Sequence, residues 1–448
     1  MEKSNFDLIV IGGGPGGIEA AVMAAREGLR VAIVKNQRAG GRAVWGSLVP
    51  SKVWLKAAEA ASTLRNGAYY ALGAQSARFD LENLKTRIAA QSESASGRYR
   101  DILKDAGVAA VAGKGAILAP GKVRVEMEGR KIHLLDSRYI VVATGSEPVF
   151  SPDVKPLPPR IFAPRHAATL PELPQSLLVA GGGVTGVEYG FAFAALGIPV
   201  TILHNSTQLL PRLDGRIAAI LEDFLQKRLH IQVYKRDAVK AVHLMENAVE
   251  AETNAGLRYK ADYAFLATGR AADLSFYDPN AIPLVLTPEK ALAVDEFGQT
   301  SQPGIYAVGD VTGAPMLANR ATMQARVAVK HLLNDRTALL RPKSFIEMAY
   351  TYPPVGQIGD MHREEDAFFV EKHYSSLLKA HLEGETSGLL RIKVDDQTGL
   401  IRGAAAFGQQ AAELLGMIQL AMHQGISYHK LRAMPMAHPS YGELLTGY

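Results

Sequence analysis

The chain has 448 residues, of which 48% are hydrophobic and 21% are charged, which predicts a globular protein long enough for two to four domains. Its 49 Lys and Arg residues slightly exceed its 44 Asp and Glu residues, and this dispersed charge predicts a solvated surface with no nucleic-acid partner and at most a weak preference for anionic nucleotides. No cysteine is present, which excludes iron–sulfur clusters and thiolate metal sites on this chain, and no metal site is predicted.

The first residues run directly into an apolar segment at 6–11 that predicts a buried parallel strand. The charged region, apolar region and cleavage site of a signal peptide do not fit before it. No apolar run approaches the ~20 residues that a membrane helix needs. We therefore expect a cytoplasmic protein without an integral membrane segment.

A first nucleotide-binding unit is predicted around this strand. The strand leads into a G-x-G-x-x-G turn, a helix at 18–27 and a second strand at 30–34. The turn glycines are Gly12, Gly14 and Gly17. In such turns the first glycine permits the bend, the second lets the backbone approach a pyrophosphate, and the third allows close helix–strand packing. The unpaired N–H groups at the start of the helix then face the phosphates.

A second unit of the same kind begins at residue 176. It consists of a strand at 176–180, a turn, a helix to about residue 196 and a strand at 198–203. Its turn glycines are Gly181, Gly183 and Gly186. A single glycine-rich turn also occurs in purely structural loops, but two correctly framed copies predict two dinucleotide sites.

Further segments flank these units. A helix is predicted at 81–106, followed by a β-rich segment that ends in an A-T-G motif with Thr144 and Gly145. The A-T-G motif recurs with Gly269, and the proline-rich stretch at 151–160 predicts a linker. A G-x-x-A-x-G-D segment ends at Asp310, and after residues 341–342 the composition changes to alternating strand patterns and a helix.

The stretch at 40–52 has the sequence GGRAVWGSLVPSK. It resembles the G-G-x-C-x-x-x-x-C-x-P-S-K pattern of the pyridine nucleotide-disulphide oxidoreductase family, which includes dihydrolipoamide dehydrogenase, mercuric reductase and glutathione reductase. Ala43 and Leu48 occupy the two cysteine positions. Thiol–disulphide exchange needs a thiolate as attacker and leaving group. Hydride transfer therefore remains available to this chain, but electron transfer through a disulphide does not.

The resemblance extends over nearly the whole chain and implies an α/β fold. It implies two Rossmann-like dinucleotide-binding domains, for FAD (1–150 and 266–336) and for NAD(P) (151–265), and a C-terminal α+β dimerisation domain (337–448). The family's order of domains along the chain also implies a homodimer in which each active site includes residues of the partner subunit. The chain stops at residue 448, so the family's C-terminal tail is expected to be missing.

The resemblance assigns cofactor-binding positions and gives roles to two of them. It places Lys52 beside flavin N5, where its charge stabilises the reduced flavin, and Glu188 as the ion-pair partner that fixes this ammonium. The cofactor-binding positions are Gly12, Gly14, Gly17, Lys35, Gly41, Lys52, Gly115, Thr144, Gly145, Gly181, Gly183, Gly186, Glu188, His204, Gly269, Asp310, Leu317 and Ala318. Asp310 matches the aspartate that, in the family, accepts a hydrogen bond from the ribityl chain of the flavin.

His438 and Glu443 lie in an H-P-x-x-x-E motif that reaches the opposite subunit's site in the family. There the histidine is the acid/base for the thiols and the glutamate orients it. With the thiols absent, the pair is either a relic, a part of the dimer interface or a proton donor to a different acceptor. An imidazole pKa near ~6.5 suits proton donation at neutral pH.

Three features depart from the family pattern. Lys35 stands where an acidic residue usually binds the FAD ribose, and lysine cannot accept a hydrogen bond, so FAD is expected to be held either more weakly or through Asn36 instead. His204 stands at the matching place of the second unit, which admits NADPH as well as NADH. Leu48 and Trp45 either fill the space of the disulphide or form an apolar platform on which an aromatic acceptor stacks.

The sequence therefore predicts an FAD-dependent oxidoreductase with NADH or NADPH as hydride donor and Lys52, Glu188, His438 and Glu443 as catalytic residues. The predicted acceptor is not a thiol: it is a quinone, a dye, a second nicotinamide nucleotide, oxygen or a redox protein. The alternative is a flavin-binding pseudoenzyme that serves as a subunit or as a redox-sensing scaffold.

Overall fold

The computed structural model describes residues 4–36, 38–71, 79–339 and 345–446. Its strands are β1 (Ser4–Ile11), β2 (Val31–Lys35), β3 (Ala109–Ala112), β4 (Lys114–Ala119), β5 (Lys122–Glu126), β6 (Ile132–Val142), β7 (Ser146–Pro148), β8 (Ile161–Phe162), β9 (Leu177–Ala180), β10 (Val200–Leu203), β11 (Gln232–Tyr234), β12 (Val239–Leu244), β13 (Val249–Thr253), β14 (Arg258–Ala261), β15 (Tyr263–Leu266), β16 (Arg270–Ala272), β17 (Ile305–Ala307), β18 (Glu347–Ala349), β19 (Val355–Gly359), β20 (Ala367–His373), β21 (Leu389–Asp395) and β22 (Ile401–Phe407). Its α-helices are α1 (Pro15–Arg26), α2 (Gly41–Trp45), α3 (Leu48–Arg65), α4 (Leu81–Asp105), α5 (Val184–Ala195), α6 (Gly215–Leu229), α7 (Ala318–Leu332), α8 (Leu378–Leu382), α9 (Ala411–His423), α10 (Tyr428–Arg432) and α11 (Glu443–Thr446).

The chain divides into two compact units. The first unit comprises Met1–Pro50, Thr86–Val149 and Gly269–Arg341. The second unit comprises Ser51–Lys85, Phe150–Thr268 and Pro342–Tyr448. The predicted change of composition at 341–342 and the end of the chain at 448 lie outside the described residues.

The first unit is built on a parallel sheet in the order β3-β2-β1-β6-β17. The first half of β6 also pairs antiparallel with β5, and β5 pairs with β4. Every residue of β2 is buried, as expected of a strand in a parallel sheet covered on both faces. The strand predicted at 6–11 is confirmed, but it begins at Ser4 because β6 is long enough to pair with it there.

Helix α1 covers one face of this sheet. It begins at Pro15, three residues before the predicted start, because proline has the backbone angle of a first helical residue and no N–H to leave unpaired. Its small residues pack closely against α7: a Cβ on Gly16 would lie 3.1 Å from the carbonyl oxygen of Ala321. The close packing of α1 follows from its glycines and alanines.

The second unit contains a parallel sheet in the order β11-β10-β9-β15-β8. Helix α5 follows β9, and all of its residues from Gly186 to Ala195 are buried. An antiparallel sheet, β12-β13-β14, and a five-stranded antiparallel sheet, β18-β19-β22-β21-β20, complete the strands of this unit. In the predicted linker at 151–160, an isolated bridge pairs Ser151 with Val154, and Leu157 pairs with Ile161, the first residue of β8.

Candidate functional site

The glycine turn of the first unit joins β1 to α1. Gly12 has a φ of +118°, and a Cβ on it would overlap the carbonyl oxygen of Ala143. A Cβ on Gly17 would overlap the carbonyl oxygen of Gly12. Gly14 caps α1, and no described atom outside the turn lies within 4 Å of the position that its Cβ would take. The open side of Gly14, at a helix N-terminus, suits the close approach of a pyrophosphate.

Lys35 ends β2 and lies against this turn. A Cβ on Gly13 would come 2.7 Å from the Cβ of Lys35. The ammonium of Lys35 donates a hydrogen bond to the carbonyl of Asn36 at 3.2 Å. Burial, followed by the nearby charge of Arg100, lowers the pKa of Lys35. A ribose hydroxyl can accept a hydrogen bond from this lysine, so the position still fits an adenosine ribose, but as a donor to it.

Asp310 lies in a short 3₁₀ helix, Gly309–Thr312. Its Oδ2 accepts a hydrogen bond from the hydroxyl of Ser146 at 2.6 Å. Arg270 donates to the same hydroxyl oxygen at 2.8 Å and to the carbonyl of Ser146 at 2.7 Å. Burial lowers the pKa of Arg270, while the charge of Asp310 opposes that shift. An ionised carboxylate accepts about four hydrogen bonds, so Asp310 can also accept one from a ribityl hydroxyl.

The remaining predicted positions of the first unit lie in its loops, in β4 and at the starts of α2 and α7. The hydroxyl of Thr144 donates to the carbonyl of Asp273 at 2.7 Å, and Gly145 has a φ of +82°. A Cβ on Gly41 would lie 3.1 Å from the Cα of Gly14, so α2 starts against the glycine turn. The other predicted positions are Gly115 in β4 beside Ile11, Gly269 just before β16, and Leu317 and Ala318 at the start of α7.

The second unit repeats the turn between β9 and α5. Gly181 has a φ of +126°, and Cβ atoms on Gly181 and Gly186 would overlap backbone oxygens. The position that a Cβ would take on Gly183, the N-cap of α5, has no described atom outside the turn within 4 Å. Both turns therefore have the same close contacts and the same open side, which fits a dinucleotide in each unit.

His204 follows β10 and lies against the second turn. A Cβ on Gly182 would come 2.7 Å from the Cγ of His204. The residue is only 3% exposed, and neither ring nitrogen has a hydrogen-bond partner among the described residues. Burial, assisted by the charge of Lys235 and opposed by that of Glu222, lowers the pKa of His204. A buried polar group without partners is costly, so a hydrogen-bonding group brought to these nitrogens, which are closed to solvent in this structure, would be favourable.

Lys52 of α3 and Glu188 of α5 form an ion pair in the second unit. The ammonium nitrogen of Lys52 lies 2.8 Å and 2.9 Å from the two carboxylate oxygens of Glu188. The side chain of Glu188 is 5% exposed and that of Lys52 is 33% exposed. A carboxylate buried to this extent is stabilised by its hydrogen-bonded cation, and the Lys52 side chain, which is one-third exposed, remains partly open to a ligand.

His438 and Glu443 form a dyad at the C-terminal end of the second unit. The Nδ1 of His438 lies 2.8 Å from Oε1 of Glu443, whose Oε2 accepts from the backbone N–H of Ser440 at 2.9 Å. The hydrogen bond to His438 lowers the pKa of Glu443. The side chain of His438 is 65% exposed, and the dyad shares no hydrogen bond with Lys52 or Glu188 within the described residues.

Ala43 and Leu48, the residues at the two cysteine positions, lie in α2 and at the start of α3. Leu48 is 42% exposed. Trp45 donates from its indole N–H to the carbonyl of Ala39 at 3.0 Å, and the guanidinium carbon of Arg38 lies 4.2 Å from the centre of its ring. The indole is therefore fixed in place by neighbouring residues.

Comparison with known proteins identifies the family. The family model of the pyridine nucleotide-disulphide oxidoreductases matches the sequence at residues 6–325. The family model of their dimerisation domain matches it at residues 347–447. The chain belongs to the pyridine nucleotide-disulphide oxidoreductase family. It is therefore a pyridine-nucleotide-dependent oxidoreductase of a family whose members bind FAD and use NAD(P)H, and it carries that family's dimerisation domain.

Individual relatives cover nearly the full chain. A dihydrolipoyl dehydrogenase of Chlorobaculum tepidum is 30% identical over 98% of this chain and 95% of its own length. An NAD(P)H dehydrogenase (quinone) of Mycobacterium tuberculosis is 27% identical over 98% of this chain and 92% of its own length. The solved structure of LpdA from Mycobacterium tuberculosis superimposes with a TM-score of 0.92 at 26% identity, covering 98% of both chains.

These findings confirm the predicted family and its α/β fold with a C-terminal dimerisation domain. None of the helices in the described part of the chain has the length and apolar character needed to cross a bilayer. In the same residues, no group of three or more His, Asp or Glu side chains is arranged to hold a metal ion. The roles of the individual site residues stay predictions.

Sequence reasoning missed several residues at these sites. Ser146 and Arg270 each follow an A-T-G motif directly, so extending both motifs by one residue would have found them. Tyr350, which contacts Lys52 and Glu188, and Glu383, which accepts a hydrogen bond from Tyr441, carry no local sequence signal. Their partners are far away in the sequence, and only the fold brings them together.

Proposed function

We propose that the protein is an FAD-dependent NAD(P)H oxidoreductase that passes electrons to a non-thiol acceptor, and that this acceptor is a quinone. One observation carries the proposal: Ala43 and Leu48 replace both cysteines, while Lys52 and Glu188 keep their ion pair at 2.8 Å. FAD, when bound, would take a hydride from NAD(P)H and release two electrons to the acceptor. The similarity to an NAD(P)H dehydrogenase (quinone) supports the choice of a quinone.

The residues divide between the two cofactors in this proposal. The turn at Gly12, Gly14 and Gly17, with Lys35 and Asp310, would hold FAD. The turn at Gly181, Gly183 and Gly186, with His204, would hold the nicotinamide nucleotide. Lys52 would supply a fixed positive charge wherever negative charge develops during the reaction. An intact ion pair of this kind favours an enzyme over a pseudoenzyme.

The domain boundaries, the homodimer and the cytoplasmic location also belong to this proposal. FAD would be bound by residues 1–150 and 266–336, NAD(P) by 151–265, and the dimer would form through 337–448. The dimerisation domain supports a homodimer. The dyad of His438 and Glu443 would then protonate an acceptor bound to the partner chain.

An acceptor panel tests the proposed function. Purified protein should be yellow, and anaerobic NAD(P)H should reduce it with one two-electron equivalent for each flavin. No thiolate-to-flavin charge-transfer band should form, because Leu48 replaces the donor sulfur. The reduced protein should be reoxidised by quinones and dyes and not by lipoamide or glutathione disulphide. A colourless protein that fails to bind added FAD, or efficient disulphide reductase activity, would contradict the proposal.

Replacing Lys52 tests the role of the ion pair. Lys52→Met should slow flavin reduction by about 10- to 100-fold with little effect on nucleotide affinity, because the lost charge acts on the reduced cofactor. Rapid mixing with NADH or NADPH measures both quantities. Lys56→Met, one turn further along α3 in an exposed pair with Glu59, is the control and should keep the wild-type rate. An unaltered rate in Lys52→Met would refute the role.

A further inference from the structure

Tyr350 lies beside the ion pair and contacts both of its members. The ammonium nitrogen of Lys52 lies 4.6 Å from the centre of the Tyr350 ring, within the ~6 Å over which cation–π attraction acts. The backbone N–H of Tyr350 donates a hydrogen bond to Oε1 of Glu188 at 2.9 Å. The ion pair is thus part of a group of three residues, contributed by α3, α5 and the residue that follows β18.

The two contacts of Tyr350 act on different members of the pair. The backbone N–H adds a second donor to the buried Glu188, and this bond does not depend on which side chain stands at position 350. The ring acts on Lys52, whose side chain is flexible and one-third exposed. An ion pair alone leaves such a side chain several conformations, and the ring limits them.

The chemistry of the ring suits this role. Partial burial raises the pKa of Tyr350, with smaller contributions in the same direction from Glu188 and Glu413. The phenol is therefore neutral at physiological pH, and its attraction for an ammonium is that of the ring face. Phenylalanine would supply the same face, whereas leucine would fill space without it.

We propose that Tyr350 is a positioning residue for Lys52, whose ring holds the ammonium against Glu188 and so fixes where the positive charge stands. The catalytic meaning of this contact rests on the proposed function, in which that charge acts on the reduced cofactor. The contact itself is a property of the second unit and can be measured without the flavin.

Trace acetylation of lysines provides this measurement. Full-length protein, with and without FAD, is treated with limiting acetic anhydride, and the acetylated fraction of each lysine is found by mass spectrometry. Lys379 is the internal reference, because its side chain is 34% exposed and it lies 2.7 Å from Glu383 in an ion pair that Tyr350 does not touch. The ratio of Lys52 to Lys379 labelling cancels any global change in stability.

The variants separate the ring from the rest of the side chain. Tyr350→Leu should raise the labelling ratio by about threefold, as expected from the loss of one cation–π contact. Tyr350→Phe should keep the wild-type ratio. A pentafluorophenylalanine at position 350 has nearly the shape of phenylalanine but a reversed ring quadrupole, so it should raise the ratio even if the leucine variant fails to fold. Because Tyr350 is 43% exposed, the protein is expected to tolerate these changes.

Two results would overturn the proposal. One is an unchanged ratio in the leucine and pentafluorophenylalanine proteins, and the other is a Tyr350→Phe ratio that rises as much as that of Tyr350→Leu. In the holoprotein, reduction by NAD(P)H should slow by about threefold in Tyr350→Leu and not in Tyr350→Phe; a normal rate in Tyr350→Leu would refute the effect on the reaction. Failure of wild-type protein in the acceptor panel would overturn the proposed function and leave the labelling result standing.

Discussion

At the scale of single residues, the chain departs from the family pattern at Lys35, the last residue of β2, and at His204, which follows β10. Lys35 and His204 each lie against their glycine turn, where an acidic side chain would accept hydrogen bonds from ribose. His204 is held neutral by burial, and a neutral imidazole can both donate and accept. Under the proposed function, such an imidazole facing the ribose would bind a hydroxyl there without repelling a 2′-phosphate.

His204→Glu should shift the preference of the protein toward NADH. The carboxylate would accept from the ribose hydroxyls but repel a 2′-phosphate, which we expect to change relative affinity by about 1–2 kcal/mol. Stopped-flow titration of flavin reduction with each nucleotide gives the two affinities. His243→Glu, at an exposed position in β12 of the same unit, is the matched control. An unchanged NADH/NADPH ratio would mean that His204 does not face the ribose.

At the scale of secondary structure, the H-P-x-x-x-E motif is held in place by a residue within it. Tyr441, which is 5% exposed, donates a hydrogen bond to Oε2 of Glu383 at 2.8 Å. Its ring also lies 5.6 Å from that of Tyr374, centre to centre. Tyr441 thus anchors the segment between His438 and α11 to the end of α8.

Tyr441→Phe should destabilise this segment and the second unit. The substitution removes one hydrogen bond to a charged acceptor while keeping the packed ring, so the free energy of unfolding should fall by about 1.5–2 kcal/mol. Urea unfolding followed by circular dichroism measures the change. Tyr428→Phe, at a half-buried tyrosine in α10, makes the same chemical change outside this anchor. Equal losses in both variants would contradict the role of Tyr441.

The same elements show what a sequence can and cannot predict. Both glycine turns were predictable because their strand, turn and helix are adjacent in the chain, so local chemistry determines them. The ends of α1 and β1 were less predictable, since they depend on Pro15 and on the length of β6. The contact between Tyr350 and Glu188 spans 162 residues, and only packing of α5 near β18 creates it.

At the scale of the whole molecule, the family's dimerisation domain supports a homodimer. The dyad of His438 and Glu443 shares no hydrogen bond with Lys52 and Glu188 of its own chain among the described residues. If His438 of one chain protonates an acceptor reduced at the other chain, every working site needs Lys52 from one subunit and His438 from its partner.

Mixed dimers test this dependence. Lys52→Met should slow reduction by NAD(P)H, whereas His438→Ala should slow reoxidation by a quinone and leave reduction intact. A dimer with one chain of each kind, isolated through two different affinity tags, would then contain one site with both defects and one site with neither. Its NAD(P)H:quinone turnover should be about half that of wild type and well above either variant homodimer, since general acid catalysis alone contributes about 100-fold or more.

If the dyad instead protonates an acceptor reduced on its own chain, each site carries one defect. The mixed dimer then turns over no faster than the mean of the two homodimers. Wild-type turnover in the His438→Ala homodimer would instead make the dyad a part of the dimer interface without a role in proton transfer.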